Sequence, residues 1–292
     1  MRIRKYVIPS SANNLLSLFG STYGGVVFLG FFTNPADVAY FDIPNTFVQR
    51  AFSQVGMVIG MLGLVSLVEV NVRDPTKLRA AAEEFVKLIS IYALPLTMGG
   101  LVLASPILTV LYGSQALPAV LPFRILLIEG CVSTILWMSS MLLYVKEKAA
   151  RAFVWNALYT AILAGLSILL IPSMGVMGAV IAFSVADVAI GVIFTYDASI
   201  RLKVGNFIPL GAILKTTLAS FFMAIVLLAM GFFFPVVNAP RLVVAMVIGV
   251  AVYLFWLRIL RVFNDTDRRM VESSSIPLKR LLIKLFWKGN GR

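Results

Sequence analysis

The chain has 292 residues, of which 60% are hydrophobic and only 13% charged. A soluble domain carries about 25% charged residues, so this composition cannot build a water-facing surface and excludes an ordinary soluble protein. Histidine is absent and Cys131 is the lone cysteine, which excludes an intrachain disulfide and any His- or Cys-based metal site or triad.

Apolar runs recur at the length of roughly 20 residues that a helix needs to cross a bilayer. They predict an all-α fold, a polytopic membrane bundle of about eight transmembrane helices, over residues 9–32, 43–70, 84–111, 118–144, 150–171, 176–196, 208–234 and 240–260. The first block is too long for a removable signal peptide and lacks a small-residue cleavage site, so it reads as a retained helix. Its Asn13, Asn14, Ser17 and Ser21 are uncharged and suit hydrogen bonds between helices.

The second block is the most informative. Asn45, Thr46, Gln49, Arg50, Ser53 and Gln54 crowd its outer half, and Thr46, Arg50, Ser53 and Gln54 share one helical face. Six hydrogen-bonding side chains in so short a stretch predict a wet cavity or a polar helix partner. Arg50 lies about 9 Å below the outer end. It is a candidate to receive an anionic headgroup, or else an arginine that snorkels to the interface or pairs with a carboxylate. Gly56, Gly60 and Gly63 further in predict close helix packing.

Asp74-Pro75 has the form of an N-cap followed by a first-turn proline, which starts a lead-in to the third helix. In the fourth helix Arg124 and Glu129 stand five residues apart and point away from each other. Arg124 is shallow enough to snorkel. Glu129 is a candidate ion or proton site, or a partner for Arg50. Ile171-Pro172-Ser173-Met174-Gly175 predicts a tight turn, so the fifth and sixth helices form an antiparallel hairpin. That hairpin brings Thr160 level with Asp187, with Asn156 one turn away. Asp187 beside these oxygens suits Na⁺ or a proton; the alternative is a protonated Asp bonded between helices. Lys215 sits near the inner end of the seventh helix. After the eighth helix, Ile276–Trp287 alternates basic and apolar residues and predicts an amphipathic helix on the inner leaflet, or else a disordered basic tail.

The net charge of +12 is concentrated in alternate connections: Arg2, Arg4 and Lys5; Arg73, Lys77 and Arg79; Lys146, Lys148 and Arg151; Arg201 and Lys203; and Arg258, Arg261, Arg268 and Arg269. The connections 33–42, 112–117, 172–175 and 235–239 contain neither Lys nor Arg. This alternation places both termini in the cytoplasm and explains the charge by lipid headgroups rather than nucleic acid.

Three motifs carry a resemblance. The run Pro106-Ile107-Leu108-Thr109-Val110-Leu111-Tyr112-Gly113, the hairpin Leu170-Ile171-Pro172-Ser173-Met174-Gly175-Val176-Met177-Gly178-Ala179, and Val38-Ala39-Tyr40 at the entry to the second helix follow one another in the order found in polysaccharide flippases. Over residues 8–260 the chain resembles the carboxy-terminal half of these Wzx-type, lipid-linked oligosaccharide transporters. Their superfamily also includes multidrug extruders and lipid II flippases.

The resemblance implies a six-helix lobe (1–203), two additional helices (204–262) able to groove a lipid tail, and a basic tail (263–292). It implies a flippase component in the cell membrane that translocates a lipid-linked saccharide and uses no cofactor. Its partners would be that lipid-linked saccharide, membrane lipids and a second six-helix lobe, on a separate chain or through self-association. Substrate-binding candidates are Arg50, Gln49, Gln54, Arg124 and Glu129; ion-coupling candidates are Asp187, Asn156 and Thr160, with a possible Na⁺ at Asp187. The first helix offers Asn14 where some relatives have a carboxylate. The alternatives are a multidrug extruder of an amphipathic cation, disfavoured by Arg50 and Arg124, and a non-transporting membrane subunit. A membrane glycosyltransferase or polymerase is disfavoured because the outer connections are short and hold only Asp37 and Asp42.

Overall fold

Apolar length sets most of the elements, and capping residues set where they start. The computed structural model describes residues 22–263, in which eight helices follow one another: α1 (Thr22–Phe32), α2 (Pro35–Arg73), α3 (Leu78–Tyr112), α4 (Val120–Val145), α5 (Ala149–Met174), α6 (Val176–Tyr196), α7 (Leu210–Phe233) and α8 (Ala239–Ile259). Short 3-10 turns at Pro75–Lys77 and Ser114–Ala119 lead into α3 and α4, and a π turn at Asp197–Arg201 ends α6. No β-strand occurs among the described residues. The predicted stretch 9–21, with Asn13, Asn14, Ser17 and Ser21, lies outside the described residues, as do the amphipathic tail and the side chains of Gln54, Gly56 and Gly60.

Among the described residues, six helical segments are long and apolar enough to cross a membrane, from Pro75–Tyr112 to Ala239–Ile259. At 39 residues α2 is about 58 Å long, well beyond the roughly 30 Å hydrocarbon core. Large apolar side chains such as Phe31, Leu169 and Phe232 are exposed on the outer faces, where lipid takes the place of a protein partner. The chain is a multi-pass membrane bundle.

Three boundaries differ from the sequence expectation. α2 starts at Pro35 rather than 43, because Asn34 caps it: the Asn34 side chain accepts from the Asp37 N–H at 2.9 Å, and Pro35 fills the first helical position. Arg50 is therefore fifteen residues into its helix, about 22 Å from its start, and not six. α3 starts at Leu78, six residues early, after Asp74 receives the Thr76 N–H (3.1 Å) and hydroxyl (2.5 Å). Those bonds, with Lys77 alongside, hold the exposed Asp74 carboxyl below the usual aspartate range. This cap is complete above the ordinary Asp pKa and is lost as pH falls through the depressed one. At the hairpin α5 runs on through Pro172 to Met174, and the chain reverses at Gly175 alone, with φ +55°.

The helices form one packed bundle in which α3 lies against α2 and α4 as well as against the last two helices. α2, α4 and α6 lie side by side, α5 pairs with α6, and α1 rests on α2, α5 and α6. α7 and α8 pack together and against α3, where Tyr253 donates to the Ile91 carbonyl at 2.6 Å and Phe222 stacks on Trp256. Small residues allow the close approaches. A Cβ on Gly130 would lie 2.8 Å from Val48 and 3.0 Å from Phe52, and one on Gly191 would lie 2.9 Å from Leu136.

At the Lys- and Arg-rich end of the α5–α6 hairpin, Asp197 is buried. It accepts from Arg151 at 3.2 Å and Trp155 at 3.1 Å, with Arg201 at 3.8 Å. Removing both cations leaves an uncompensated buried carboxylate. The pair Arg151→Met and Arg201→Met is expected to destabilise the fold by about 3–5 kcal/mol. A thermal midpoint in detergent that does not fall would show that these ion pairs are dispensable.

Candidate functional site

Helices α2, α4, α5 and α6 enclose an open cavity of about 670 Å³. α4 contributes Ser133, Trp137, Ser140 and Tyr144, spaced by four, three and four residues and therefore on one helical face, with Thr134 beside them. Gln49 and Ser53 come from α2, Asn156 and Tyr159 from α5, and Asp187 from α6, while Phe52, Phe183 and Phe194 add apolar floor. Asp187 is the one charged residue among the described residues that line the cavity.

The register of α4 against α6 follows from two contacts. Leu136 closes on Gly191, and the Ser139 and Thr195 hydroxyls meet at 2.7 Å, so the two helices run in the same direction. Extrapolated one to two turns, this register sets Glu129 and Ser133 level with Ser184 and Asp187. Glu129 does lie beside Asp187 and Ser133, and Tyr159 lies close to both carboxyls. Glu129 is 3% exposed and neither of its oxygens is hydrogen-bonded among the described residues. The same holds for the Ser184 hydroxyl and for the side chain of Asn45, which is fully buried on the α2 face that meets α4. Unsatisfied buried polar groups are rare, and a buried ionisable one within a membrane bundle calls for a partner.

Sequence reasoning placed some of these residues and missed others. Gln49, a substrate-binding candidate from the sequence, and Asn156 and Asp187, ion-coupling candidates, all line this one cavity. Thr160 does not: its hydroxyl turns back to the Asn156 carbonyl at 3.0 Å, and the neighbouring Tyr159 takes the position beside Asp187. Glu129 meets Asp187 rather than Arg50. Arg50 is exposed, without an ion pair among the described residues, and does not line the cavity, although Gln49 before it and Ser53 one turn on do. Arg124 shares an exposed face of α4 with Leu121 and Ile128, turned away from buried Glu129 and from the cavity. The α4 row at 133, 137, 140 and 144 was missed, although its helical spacing is legible. No group of three or more His, Cys, Asp or Glu side chains that could hold a metal occurs among the described residues.

Residues 2–121 match the sequence model of a family described as "Polysaccharide biosynthesis protein". No curated protein matches the chain. Among solved structures, "Lipid II flippase MurJ, inward closed conformation" superposes with a TM-score of 0.72 at 17% identity, over 86% of this chain and 52% of that one. The two share a fold, and this chain spans about half the length of the flippase.

Proposed function

We propose that this chain is one lobe of a transporter that flips a lipid-linked saccharide from the inner to the outer leaflet, and that it performs no catalysis. The open cavity of about 670 Å³, which brings polar side chains and Asp187 between helices of a fold shared with a lipid II flippase, carries this reading. A charged residue inside a membrane is expensive unless it meets water or a partner, and Asp187 stands at the wall of this open cavity. In the proposal, residues 1–203 form the lobe, 204–262 an added helix pair packed on its flank through α3, and 263–292 a basic tail. Both termini are cytoplasmic, as the charge alternation requires. A second six-helix lobe, from another chain or a second copy, closes the cavity, because rocking between two states needs two bundles.

Within this reading Arg50 meets the anionic diphosphate, and the facing carboxyls Glu129 and Asp187 couple transport to a cation gradient. Arg50→Ala is expected to weaken binding of an anionic polyprenyl diphosphate headgroup about tenfold, the loss of one charge-assisted hydrogen bond. Binding unchanged in proteoliposomes reduces Arg50 to an interface anchor. The function itself is tested by reconstituting the assembly and following a fluorescent lipid-linked oligosaccharide across the bilayer; no exchange under either a proton or a sodium gradient removes the proposal.

One observation favours a second reading. The charged residue on the cavity wall is acidic, which suits an extruder of amphipathic cations. Competition by tetraphenylphosphonium separates the two readings.

A further inference from the structure

We infer that α3, the start of α7 and the residues just after α8 form a binding site for the headgroup of an amine-bearing phospholipid, phosphatidylethanolamine. The site is separate from the cavity between α2, α4, α5 and α6, and the inference does not depend on what the chain transports. A hollow of about 380 Å³ lies between these elements. α3 lines it with Glu83, Glu84 and Lys87, and α7 with Gly211, Ala212 and Lys215, while Pro209 and Val262 complete the wall.

Both helices begin at the Lys- and Arg-rich end of the bundle, which faces the inner leaflet in the orientation proposed above. α3 follows Arg73 and Lys77, and α7 follows Arg201 and Lys203. They pack together and cross in the same direction. Charge is layered along that direction. Lys87 stands three and four residues beyond Glu84 and Glu83, about one helical turn or 5.4 Å further in. Lys215 stands one turn beyond Gly211 and Ala212 in the same way. The carboxylates are therefore rooted nearer water and the lysines nearer hydrocarbon.

A phosphatidylethanolamine headgroup has the complementary order. Its ammonium is outermost, and its phosphate follows two carbons further in, next to the acyl chains. The phosphate meets Lys87 and Lys215, and the ammonium donates to Glu83 and Glu84. The four side chains sum to zero charge, as a zwitterion requires. Within the hollow Glu84 stands 3.5 Å from the buried Lys87, and Glu83 also pairs with Arg79 at 2.9 Å. Lys215, on the opposite helix, forms no ion pair among the described residues.

The surface beside the hollow makes the ligand a lipid. Leu210, Leu214 and Leu218 are exposed at four-residue intervals on α7, one position before Gly211, Lys215 and Ala219, and Leu88 is exposed next to Lys87. Acyl chains lie along this apolar row when the headgroup fills the hollow. The amine selects the headgroup. A trimethylated ammonium has no N–H to donate to the carboxylates, and a phosphoglycerol headgroup brings them no cation.

The test uses the full chain, delipidated in detergent, and native mass spectrometry with phosphatidylethanolamine, phosphatidylcholine and phosphatidylglycerol of identical acyl chains, and with soluble O-phosphoethanolamine as competitor. Phosphatidylethanolamine is expected to bind at least about tenfold tighter than either other lipid, and O-phosphoethanolamine at equal concentration to leave it bound. Glu83→Gln with Glu84→Gln should erase the preference over phosphatidylcholine, and Lys215→Gln should weaken phosphatidylethanolamine about tenfold. Gly211→Phe fills the hollow from a position where a Cβ meets nothing within 4 Å, and should cause the same loss with every charge in place. Size-exclusion profiles and thermal midpoints identify the variants that remain folded. Equal binding of the three lipids, or tightest binding of phosphatidylglycerol, overturns the inference. A preference that survives in the folded variants places the lipid elsewhere and overturns it too. Displacement by O-phosphoethanolamine makes the ligand a soluble phosphate ester and removes the lipid assignment. None of these outcomes bears on the flippase reading, which stands or falls with the transport assay.

Discussion

Asp187→Asn is expected to abolish gradient-driven transport, reducing it about a hundredfold to passive exchange, while the protein remains folded. Asp187 and Glu129 are neighbours inside a bundle whose surroundings are hydrocarbon and packed helices. On the insertion scale a single charge at mid-bilayer costs about 2.5–3.5 kcal/mol, and two like charges side by side repel in addition. No lysine or arginine faces them from the packed helices among the described residues: α2 presents Asn45, Val48 and Phe52, α3 presents Thr97, and α5 presents Tyr159. In the proposed function the pair takes up the coupling cation, and Asp187, the member that lines the cavity, is its point of entry. An asparagine there keeps the shape and removes the titratable group at the opening. Glu129→Gln should have a similar effect, since either substitution leaves one carboxyl without its acidic neighbour. Proton and sodium gradients imposed separately on the reconstituted assembly identify the ion. Intact coupling in both variants would reduce the pair to a packing contact between α4 and α6.

The membrane architecture was legible because the bilayer imposes a length: apolar blocks of the right size become helices whatever their detailed sequence. Boundaries were less legible. Asn34 and Pro35 form a capping signal as clear as Asp74 and Pro75, yet residues 33–42, free of Lys and Arg, read as an outer connection. Helix faces were partly legible. Arg124 has Leu121 three residues before it and Ile128 four after, so its outward direction was already implied by spacing. The exchange of Tyr159 for Thr160 reflects a limit of another kind, because one residue turns a helix by 100° and similar depth does not select a face. The Glu129–Asp187 meeting depends on a register between helices fifty-eight residues apart in sequence, set by Gly191 and by the Ser139–Thr195 contact. No local pattern encodes that. Asp197 was missed because a carboxylate near basic residues at a helix end reads as solvated, and its burial is supplied by the facing helix through Arg151 and Trp155.

The hairpin motif that carries the family resemblance gives the second large prediction, because its glycines act by two different physical effects. Gly175 has φ +55° and ψ −128°, which side-chain-bearing residues rarely adopt, but a Cβ there would meet nothing within 4 Å. Its replacement is penalised by conformation alone, about 1–3 kcal/mol. At Gly178 a Cβ would lie 2.4 Å from the Leu170 carbonyl oxygen and 2.9 Å from the Ile171 nitrogen, both backbone atoms that cannot rotate away. Alanine must push α5 and α6 apart where they pack most closely, so Gly178→Ala is expected to destabilise by about 3 kcal/mol or more and to loosen the cavity wall that α6 supplies. Gly165 is the control. It lies inside α5 with open space around its Cβ position, and alanine there should stabilise by about 0.5–1 kcal/mol through helix propensity. Thermal unfolding in detergent should rank the variants Gly165→Ala, wild type, Gly175→Ala, Gly178→Ala in falling order. A Gly178→Ala protein as stable as the wild type would mean that the two helices do not approach so closely, and that the spacing of the motif answers to something other than contact between backbones.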